Sequence, residues 1–241
     1  MKITVFNGSP HGERGNTNVI VEEFLKGAVK AGAEVENIFL VKKHIEHCLG
    51  CSNCWVKTPG RCIINDDMKE LLEKFISSDI VGFATPIYFD SVTGIMKNFI
   101  DRLIPLVDPH FKKDERGISR HLKRFEKYPR FLVISNCGFP EWSRFQVIHL
   151  LFKKIAISMH TQVIAEIYRN SGELLKAPGF KQIISEYKRV VRKAGEELAT
   201  NLKLSRETLL ELKKPIISDD QYIRLANHNW DRLLLNVKQD E

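Results

Sequence analysis

Short apolar runs alternate along the chain with longer segments in which apolar residues recur every three or four positions. The short runs are rich in β-branched and aromatic residues, which is typical of buried strands, whereas the longer segments predict amphipathic helices. We predict strands over residues 3–7, 34–40, 80–84, 131–136 and 162–167. We predict helices over residues 19–31, 67–77, 92–106, 144–159 and 179–202.

This alternation of strands and helices predicts a parallel sheet that is covered by helices on both faces. Five such strands fit an α/β, flavodoxin-like doubly wound five-stranded sheet in the order 2-1-3-4-5. Ligands of such sheets bind at the carboxyl ends of strands 1 and 3, so the loops after Asn7, Ala84 and Asn136 should converge on one crevice. Polar-rich helical pieces follow over 206–213 and 219–238. We therefore predict an α/β domain over 1–202 and a helical C-terminal extension over 203–241.

Composition excludes several classes of protein. The 241 residues are 43% hydrophobic and 28% charged, as in an ordinary globular chain. No apolar run approaches the roughly 18 residues of a membrane span, and no leader pattern is evident, so we expect a cytoplasmic protein with no membrane partner. The net charge is +7, with the densest basic segment at 111–130. Because acidic residues are interleaved with the basic ones, we interpret this charge as a solvated surface and expect no nucleic-acid partner.

The loop after the first predicted strand has the character of an anion site. It contains Ser9, His11 and three glycines, and Thr17 and Asn18 open the helix that follows. Backbone N–H groups of such a loop and of a helix N-terminus bind phosphates. The loop matches neither the dinucleotide nor the P-loop motif, so we predict a hydroxyl-lined phosphate cradle, with an ordinary turn as the alternative. We interpret His11 as a loop residue near the phosphate rather than as a proton donor.

Four cysteines with the spacing C-x2-C-x2-C-x7-C form a cysteine-rich loop over 47–65 after strand 2: Cys48, Cys51, Cys54 and Cys62. In a cytosolic protein such crowding favours metal or redox chemistry over a disulfide framework. The glycines and proline between the cysteines allow the loop to wrap around a compact object, as a cubane iron–sulfur cluster requires. A structural zinc ion and thiols that cycle through a disulfide are the alternatives.

The loop after the third strand carries Pro86, Tyr88 and Phe89, which suit a flat apolar ring system whose carbonyls meet exposed N–H groups. Aromatic side chains that merely fill the core are the alternative. Further along the chain, Lys97 and Arg102 share a predicted helix with Asp101. We interpret them as surface charges that pair with neighbours, or as an N-cap contact to a neighbouring element.

The loop after the fourth strand begins with Asn136, Cys137 and Gly138. Asn136 supplies both a donor and an acceptor, and Gly138 permits close approach of the backbone to a ligand. We interpret Cys137 as a small residue beside the ligand rather than as a fifth metal ligand.

A fixed succession of motifs covers about the first 140 residues. Its parts are Asn7-Gly8-Ser9-Pro10, Gly15-Asn16-Thr17-Asn18, Cys48-x-Gly50-Cys51-x-x-Cys54, Gly60-x-Cys62 followed by Asp66-Asp67-Met68, Thr85-Pro86-Ile87-Tyr88-Phe89, and Gly94-x-Met96-Lys97-x-Phe99-Ile100-Asp101-Arg102. In this combination the chain resembles the iron–sulfur flavoprotein branch of the NADPH-dependent FMN reductase-like, flavodoxin-fold family.

The resemblance implies that the domain over 1–202 binds FMN. The phosphate-binding residues that it implies are Ser9, Asn16, Thr17 and Asn18, with His11 nearby. The residues that it implies for the isoalloxazine ring are Pro86, Ile87, Tyr88, Phe89, Asn136, Cys137 and Gly138. It also implies a 4Fe-4S cluster on the four clustered cysteines and a homodimer or homotetramer, in which the cysteine loop of one subunit approaches the flavin of another.

We therefore expect an FMN-dependent oxidoreductase that passes electrons between a 4Fe-4S cluster, FMN and an external donor or acceptor. The external partner would be a redox protein or a small molecule, and NAD(P)H is a candidate donor. We assign no catalytic side chain, because the cofactors carry the chemistry. Two alternatives are an NAD(P)H-dependent flavin or quinone reductase without a cluster, and a zinc-bearing binding module that uses the basic surface.

Overall fold

A computed structural model of the chain describes residues 1–115 and 117–237. Its main sheet has five strands, all paired in parallel. In spatial order these are β2 (Glu34–Phe39), β1 (Lys2–Asn7), β3 (Ile80–Pro86), β6 (Arg130–Asn136) and β7 (Val163–Arg169). The predicted order 2-1-3-4-5 is confirmed, because the two further strands found among the described residues lie outside this sheet.

Helices cover both faces of the sheet. Within the described residues they are α1 (Asn16–Lys30), α2 (Asn53–Val56), α3 (Met68–Ile76), α4 (Gly94–Asp101), α5 (Gln146–Ser158), α6 (Lys181–Asn201), α7 (Arg206–Leu212) and α8 (Asp219–Val237). The apolar residues of α1 and α6 pack in one core, and those of α3, α4 and α5 pack in a second core. Every residue of β3 is buried, as expected for a central parallel strand covered on both faces.

A two-stranded antiparallel hairpin, β4 (Val107–Lys113) with β5 (Ser119–Lys123), lies between α4 and β6 and was not predicted. Most of its residues are exposed or half-buried, so it lacks the apolar face on which a period-two prediction depends. The predicted basic segment 111–130 covers most of this hairpin, and its Arg116 lies outside the described residues.

The predicted helical pieces of the C-terminal extension correspond to α7 and α8, although Lys238 lies outside the described residues. Arg169 Nη1 at the end of β7 donates to Lys214 O at 3.0 Å, and Tyr222 Oη on α8 donates to Gly138 O at 2.8 Å. The extension thus contacts the carboxyl end of the sheet, while its boundary at residue 202 stays a prediction. Within the described ranges, none of the helices is apolar over a length that would cross a membrane.

Candidate functional site

The loops after β1, β3 and β6 meet at the carboxyl edge of the sheet, as predicted. Gly8 N donates to Ala84 O at 2.8 Å, and Thr93 Oγ1 donates to Gly8 O at 2.7 Å. Ile87 N donates to Asn136 O at 2.8 Å. These bonds hold the three loops, which we call the crevice loops, in fixed positions relative to one another.

The first crevice loop lies directly against α4. A Cβ atom on Gly8 would come within 2.7 Å of Met96 Cβ, so a larger residue would push the loop and the helix apart. Thr93 also caps this helix, since its Oγ1 accepts from Met96 N at 3.2 Å. The same threonine therefore joins the start of α4 to the first crevice loop.

The N-terminus of α1 opens into the crevice loops. The helix starts at Asn16 after Gly15, and no side chain caps its first turn. Ser9 is buried with its Oγ next to Gly15, where a Cβ would come within 2.4 Å, and His11 is exposed. Uncapped N–H groups and the helix dipole favour an anion at this position. The local geometry therefore suits a phosphate.

The buried side chains of Thr17 and Asn18 form hydrogen bonds that hold neighbouring segments of the site together. Thr17 Oγ1 donates to Asn136 Oδ1 at 2.6 Å, which links the first turn of α1 to the end of β6. Asn18 Oδ1 accepts from Asn37 Nδ2 at 2.9 Å, and Asn18 Nδ2 donates to Glu22 Oε1 at 2.7 Å. Both residues are 1% exposed. Their side chains stabilise the loops, while their predicted contact with a phosphate stays a prediction.

The second crevice loop is a tight turn that carries an exposed aromatic ring. Tyr88 and Ser91 exchange backbone hydrogen bonds of 3.0 and 3.1 Å, and the two residues between them, Phe89 and Asp90, have φ of +47° and +61°. This left-handed conformation costs roughly 1–2 kcal/mol for each residue other than glycine. Phe89 is fully exposed and Tyr88 is 47% exposed, so neither fills the core. The turn keeps a flat apolar surface open at the crevice.

The third crevice loop contains a buried thiol. Cys137 Sγ donates to Phe139 O at 3.4 Å, and burial raises the pKa of this thiol. The next residue, Gly138, is exposed, and its carbonyl accepts the bond from Tyr222. Cys137 thus stabilises its own loop, and the exposed backbone of Gly138 is the part that a ligand would reach.

The cysteine loop surrounds a second cavity. Cys48 and Cys51 are exposed, while Cys54 and Cys62 are half-buried, and all four are free thiols. They line one cavity of about 130 Å³ together with residues at the end of α4. Burial raises the pKa of the Cys54 thiol, and the charges of the other three sulfurs, Cys62 first, add to this effect. The four sulfurs therefore interact electrostatically across one cavity.

The donor set of this cavity bears on the candidate metal centres. Among the described residues, no group of three or more His, Cys, Asp or Glu is placed to hold a single metal ion. A 4Fe-4S cluster is held by four cysteine thiolates. The four thiols that line the cavity are the donor set that such a cluster requires.

A buried ion pair closes the base of the cysteine loop. Arg102 Nη1 and Nη2 donate to the two oxygens of Asp66 at 2.6 and 3.0 Å, and Nη1 also donates to Glu46 O at 2.6 Å. Asp66 Oδ2 accepts in turn from Glu46 N at 2.9 Å. The pair thus joins the residue that precedes the cysteine loop to the residue that follows it.

The environment of this pair corrects one prediction. Lys97 and Asp101 form an exposed pair at 2.7 Å as expected, but the Arg102 side chain is 1% exposed and that of Asp66 is fully buried. Burial acts to raise the pKa of Asp66, but hydrogen bonds from Arg102 and from the Glu46 and Met68 amides hold it below its usual value. The interpretation of Arg102 as a surface charge is therefore wrong.

Helix α4 connects the crevice loops to the cysteine cavity. Its N-cap Thr93 bonds to Gly8 in the first crevice loop, and Arg102, which follows its last residue, faces the cysteine cavity. A helix of eight residues is about 12 Å long. The two candidate binding sites therefore lie at opposite ends of one short helix.

Residues 1–116 match the sequence profile of the family described as NADPH-dependent FMN reductase. Over these 116 residues the chain is similar to this family. The predicted resemblance is thereby confirmed, and its iron–sulfur flavoprotein branch is represented among similar chains.

Two such relatives carry the printed name iron–sulfur flavoprotein. One, from Archaeoglobus fulgidus, is 40% identical over 105 residues, or 44% of this chain and 46% of that protein. The other, from Methanocaldococcus jannaschii, is 39% identical over 106 residues, or 44% of this chain and 53% of that protein. The chain thus spans about half the length of these relatives.

A solved structure supports the fold over most of the chain. An FMN-dependent NADH-azoreductase from Bacillus anthracis, in complex with FMN, has a TM-score of 0.62 at 18% identity. The similarity covers 83% of this chain and 99% of the azoreductase. At this identity it confirms the doubly wound fold alone.

Several residues at the two sites were not identified from the sequence. Asp66 belongs to one of the motifs, but nothing in its surroundings indicates that it would pair with Arg102, which is 36 positions away. Trp55 braces the cysteine loop, because its Nε1 donates to Val107 O of the hairpin at 3.0 Å. Tyr222 reaches the third crevice loop from α8. All three contacts are long-range, so local patterns do not signal them.

Proposed function

We propose that this chain is an FMN-dependent oxidoreductase that passes electrons between FMN, a 4Fe-4S cluster and an external donor or acceptor. One observation carries the proposal: α4 joins a preformed crevice with an uncapped helix N-terminus to a cavity lined by four thiols. The family of residues 1–116 and the names of the relatives support both cofactors.

The crevice loops have the groups that FMN needs. Its phosphate meets the N-terminus of α1, where Ser9 and Asn16 lie, and the backbone N–H groups there neutralise its charge. Its ring system meets the loop of residues 86–89, with Tyr88 and Phe89 as flat apolar surfaces. Gly138, whose backbone is exposed in the third crevice loop, is the part of residues 136–138 that meets the polar edge of the ring.

The four cysteines hold the cluster, and Asp66 and Arg102 hold the loop that carries them. FMN supplies both one- and two-electron chemistry when bound, and a 4Fe-4S cluster supplies one-electron chemistry. The side chains of the protein bind, orient and shield these groups, and no side chain is needed as a nucleophile or general base. NAD(P)H is a candidate donor, in keeping with the family.

A homodimer or homotetramer is part of the proposal. Large apolar side chains are exposed at both sites: Phe89 at the crevice, and Leu49 at 71% and Val56 at 76% exposure in the cysteine loop. Burial of such side chains against a second copy would be favourable. The external redox partner and the cytoplasmic location remain predictions.

Anaerobic purification followed by FMN, iron and sulfide analysis tests the proposal. We expect one FMN and four irons per chain. Replacing Cys54 by Ser should abolish iron binding and leave FMN in place, whereas Cys137→Ser, which removes the fifth thiol, should keep the iron. FMN without iron in the wild-type protein would favour a flavin or quinone reductase without a cluster, and a protein that binds neither would refute the proposal.

A further inference from the structure

One buried hydrogen-bond donor at the cysteine cavity has no protein partner. A guanidinium carries five N–H groups, and Arg102 uses Nη1 and Nη2 to bind Glu46 and Asp66. In the part of the chain that the structure describes, its Nε–H is buried and forms no hydrogen bond. Leaving a donor of a charged group unpaired in the protein interior is costly. The Nε–H is therefore available to an acceptor at the cysteine cavity.

The neighbours of Arg102 identify the chemistry of that acceptor. Arg102 lines the same cavity as the four cysteines, and Cys62 acts on it electrostatically. A guanidinium stays positively charged in a protein. A permanent positive charge is thus held against the cavity, and sulfur is the acceptor within its reach.

On the basis of the proposed 4Fe-4S site, we propose that Arg102 raises the reduction potential of the cluster. Its Nε–H donates a charge-assisted hydrogen bond to the Cys62 thiolate, or to a cluster sulfide next to it. Asp66 orients the guanidinium by binding its other edge at 2.6 and 3.0 Å. Arg102 is therefore a tuning residue that acts through Cys62, and Asp66 is its positioning residue.

The direction of the effect follows from charge. Reduction adds one electron to the cluster without making or breaking a bond, and negative charge on its sulfurs increases. A nearby N–H donor with a positive charge stabilises the reduced form more than the oxidised form, so the potential rises. The ion pair with Asp66 does not cancel this effect, because the Nε–H remains available to sulfur.

Redox titration of the intact, anaerobically prepared protein tests the inference. The cluster signal is followed by EPR while dithionite, with mediators, sets the potential. We use Arg102→Gln combined with Asp66→Asn, which leaves no uncompensated buried charge. The equilibrium constant for reduction should fall about tenfold, which lowers the potential by about 59 mV for one electron. Arg102→Lys, which keeps the charge but not the fork of donors, should lower it by less.

Lys97→Gln is the matched control, since it removes one positive charge from the exposed face of the same helix. Its cluster potential should stay close to that of the wild type because solvent and salt screen this charge. Iron and sulfide are counted in every sample. A fully loaded double variant with a wild-type potential would refute the inference alone. Wild-type protein without iron and sulfide would refute the proposed function, and the inference with it.

The remaining outcome concerns loss of the cluster from the variants. If both Arg102 variants lack iron while their FMN content and unfolding free energy match the wild type, the role of Arg102 is to hold Cys62. That result would overturn the assignment of Arg102 as a tuning residue.

Discussion

The crevice loops are tied to one another by hydrogen bonds between neutral groups, whereas the cysteine loop is closed at its base by one buried ion pair. Thr17 with Asn136 and Thr93 with Gly8 link buried residues at 2.6 and 2.7 Å. In the cysteine loop, Asp66 and Arg102 join the two ends, and two of the four thiols are exposed. The crevice is shaped by the protein itself, while the cysteine loop encloses a cavity lined by thiols.

Because of this difference, the two sites should depend on their ligands to different extents. The walls of the crevice are hydrogen-bonded to each other, so the crevice keeps its shape without a ligand. Ligand binding therefore loses little entropy through ordering of the protein. A loop whose inner surface consists of thiols gains stability when a metal centre binds them. We therefore expect FMN to bind to a frame that is already folded, and the cluster to contribute to the folding of its own loop.

The largest effect should follow from breaking the ion pair at the base of the cysteine loop. Asp66→Asn leaves the buried guanidinium of Arg102 without its counter-charge, which costs about 3–5 kcal/mol in the free energy of unfolding. Lys97→Ala breaks an exposed pair on the same helix and should cost about 0.5 kcal/mol or less. Denaturant unfolding of both variants measures the two costs. Equal losses would show that burial of the ion pair is unimportant.

The same pair should make stability depend on pH. The pKa of Asp66 is lower in the folded protein than its unfolded value of about 3.9. Its stabilising contribution is therefore fully present above the unfolded pKa and is lost as the pH falls through the folded pKa. The free energy of unfolding of the wild type should fall below about pH 4 more steeply than that of Asp66→Asn. Parallel pH profiles would contradict this.

A smaller effect is expected where the neutral bond between the first turn of α1 and the end of β6 is removed. Thr17→Val deprives the buried Asn136 Oδ1 of its donor, which costs about 1–3 kcal/mol, and it should also weaken FMN binding. Thr200→Val removes a hydroxyl that donates to Glu196 O on an exposed helix face, so its effect should be near zero. Unfolding curves and FMN titrations compare the two. A silent Thr17→Val variant would mean that the site does not depend on this link.

The second crevice loop should gain stability when its strained turn is relaxed. Phe89→Gly and Asp90→Gly each remove a side chain from a left-handed backbone and should stabilise the flavin-free protein by about 1 kcal/mol. Only Phe89→Gly removes the exposed ring, so only this variant should bind FMN more weakly. Equal FMN affinities would show that the ring has no part in binding.

The smallest effect on folding is expected in the cysteine loop itself. Cys48 is exposed, so Cys48→Ser should change the unfolding free energy of the metal-free protein by less than about 0.5 kcal/mol. In protein prepared anaerobically with iron and sulfide, the same variant should lose the cluster and its added stability. Equal stability of wild type and variant under those conditions would mean that the cluster does not contribute to folding.

Patterns near in sequence were sufficient for the sheet and for the convergence of the three crevice loops. The five parallel strands are apolar enough to be recognised, and strand order follows from their alternation with helices. The hairpin was missed because Phe111 and its neighbours lack a buried face. Arg102 was wrongly predicted to lie at the surface, because charged side chains are usually exposed. Its ion pair with Asp66 offsets the free-energy cost of burying the charge.

The sequence by itself determined the doubly wound fold, the convergence of the three crevice loops and the four thiols, since apolar period and motif spacing are local properties. Tertiary structure decided which polar groups remain free for a ligand. It turned the Asn18 side chain towards Asn37 and Glu22 and exposed Phe89. Within the described residues, it also left the buried Arg102 Nε without a hydrogen-bond partner. These outcomes depend on partners that are distant in sequence, and only the packed chain brings them together.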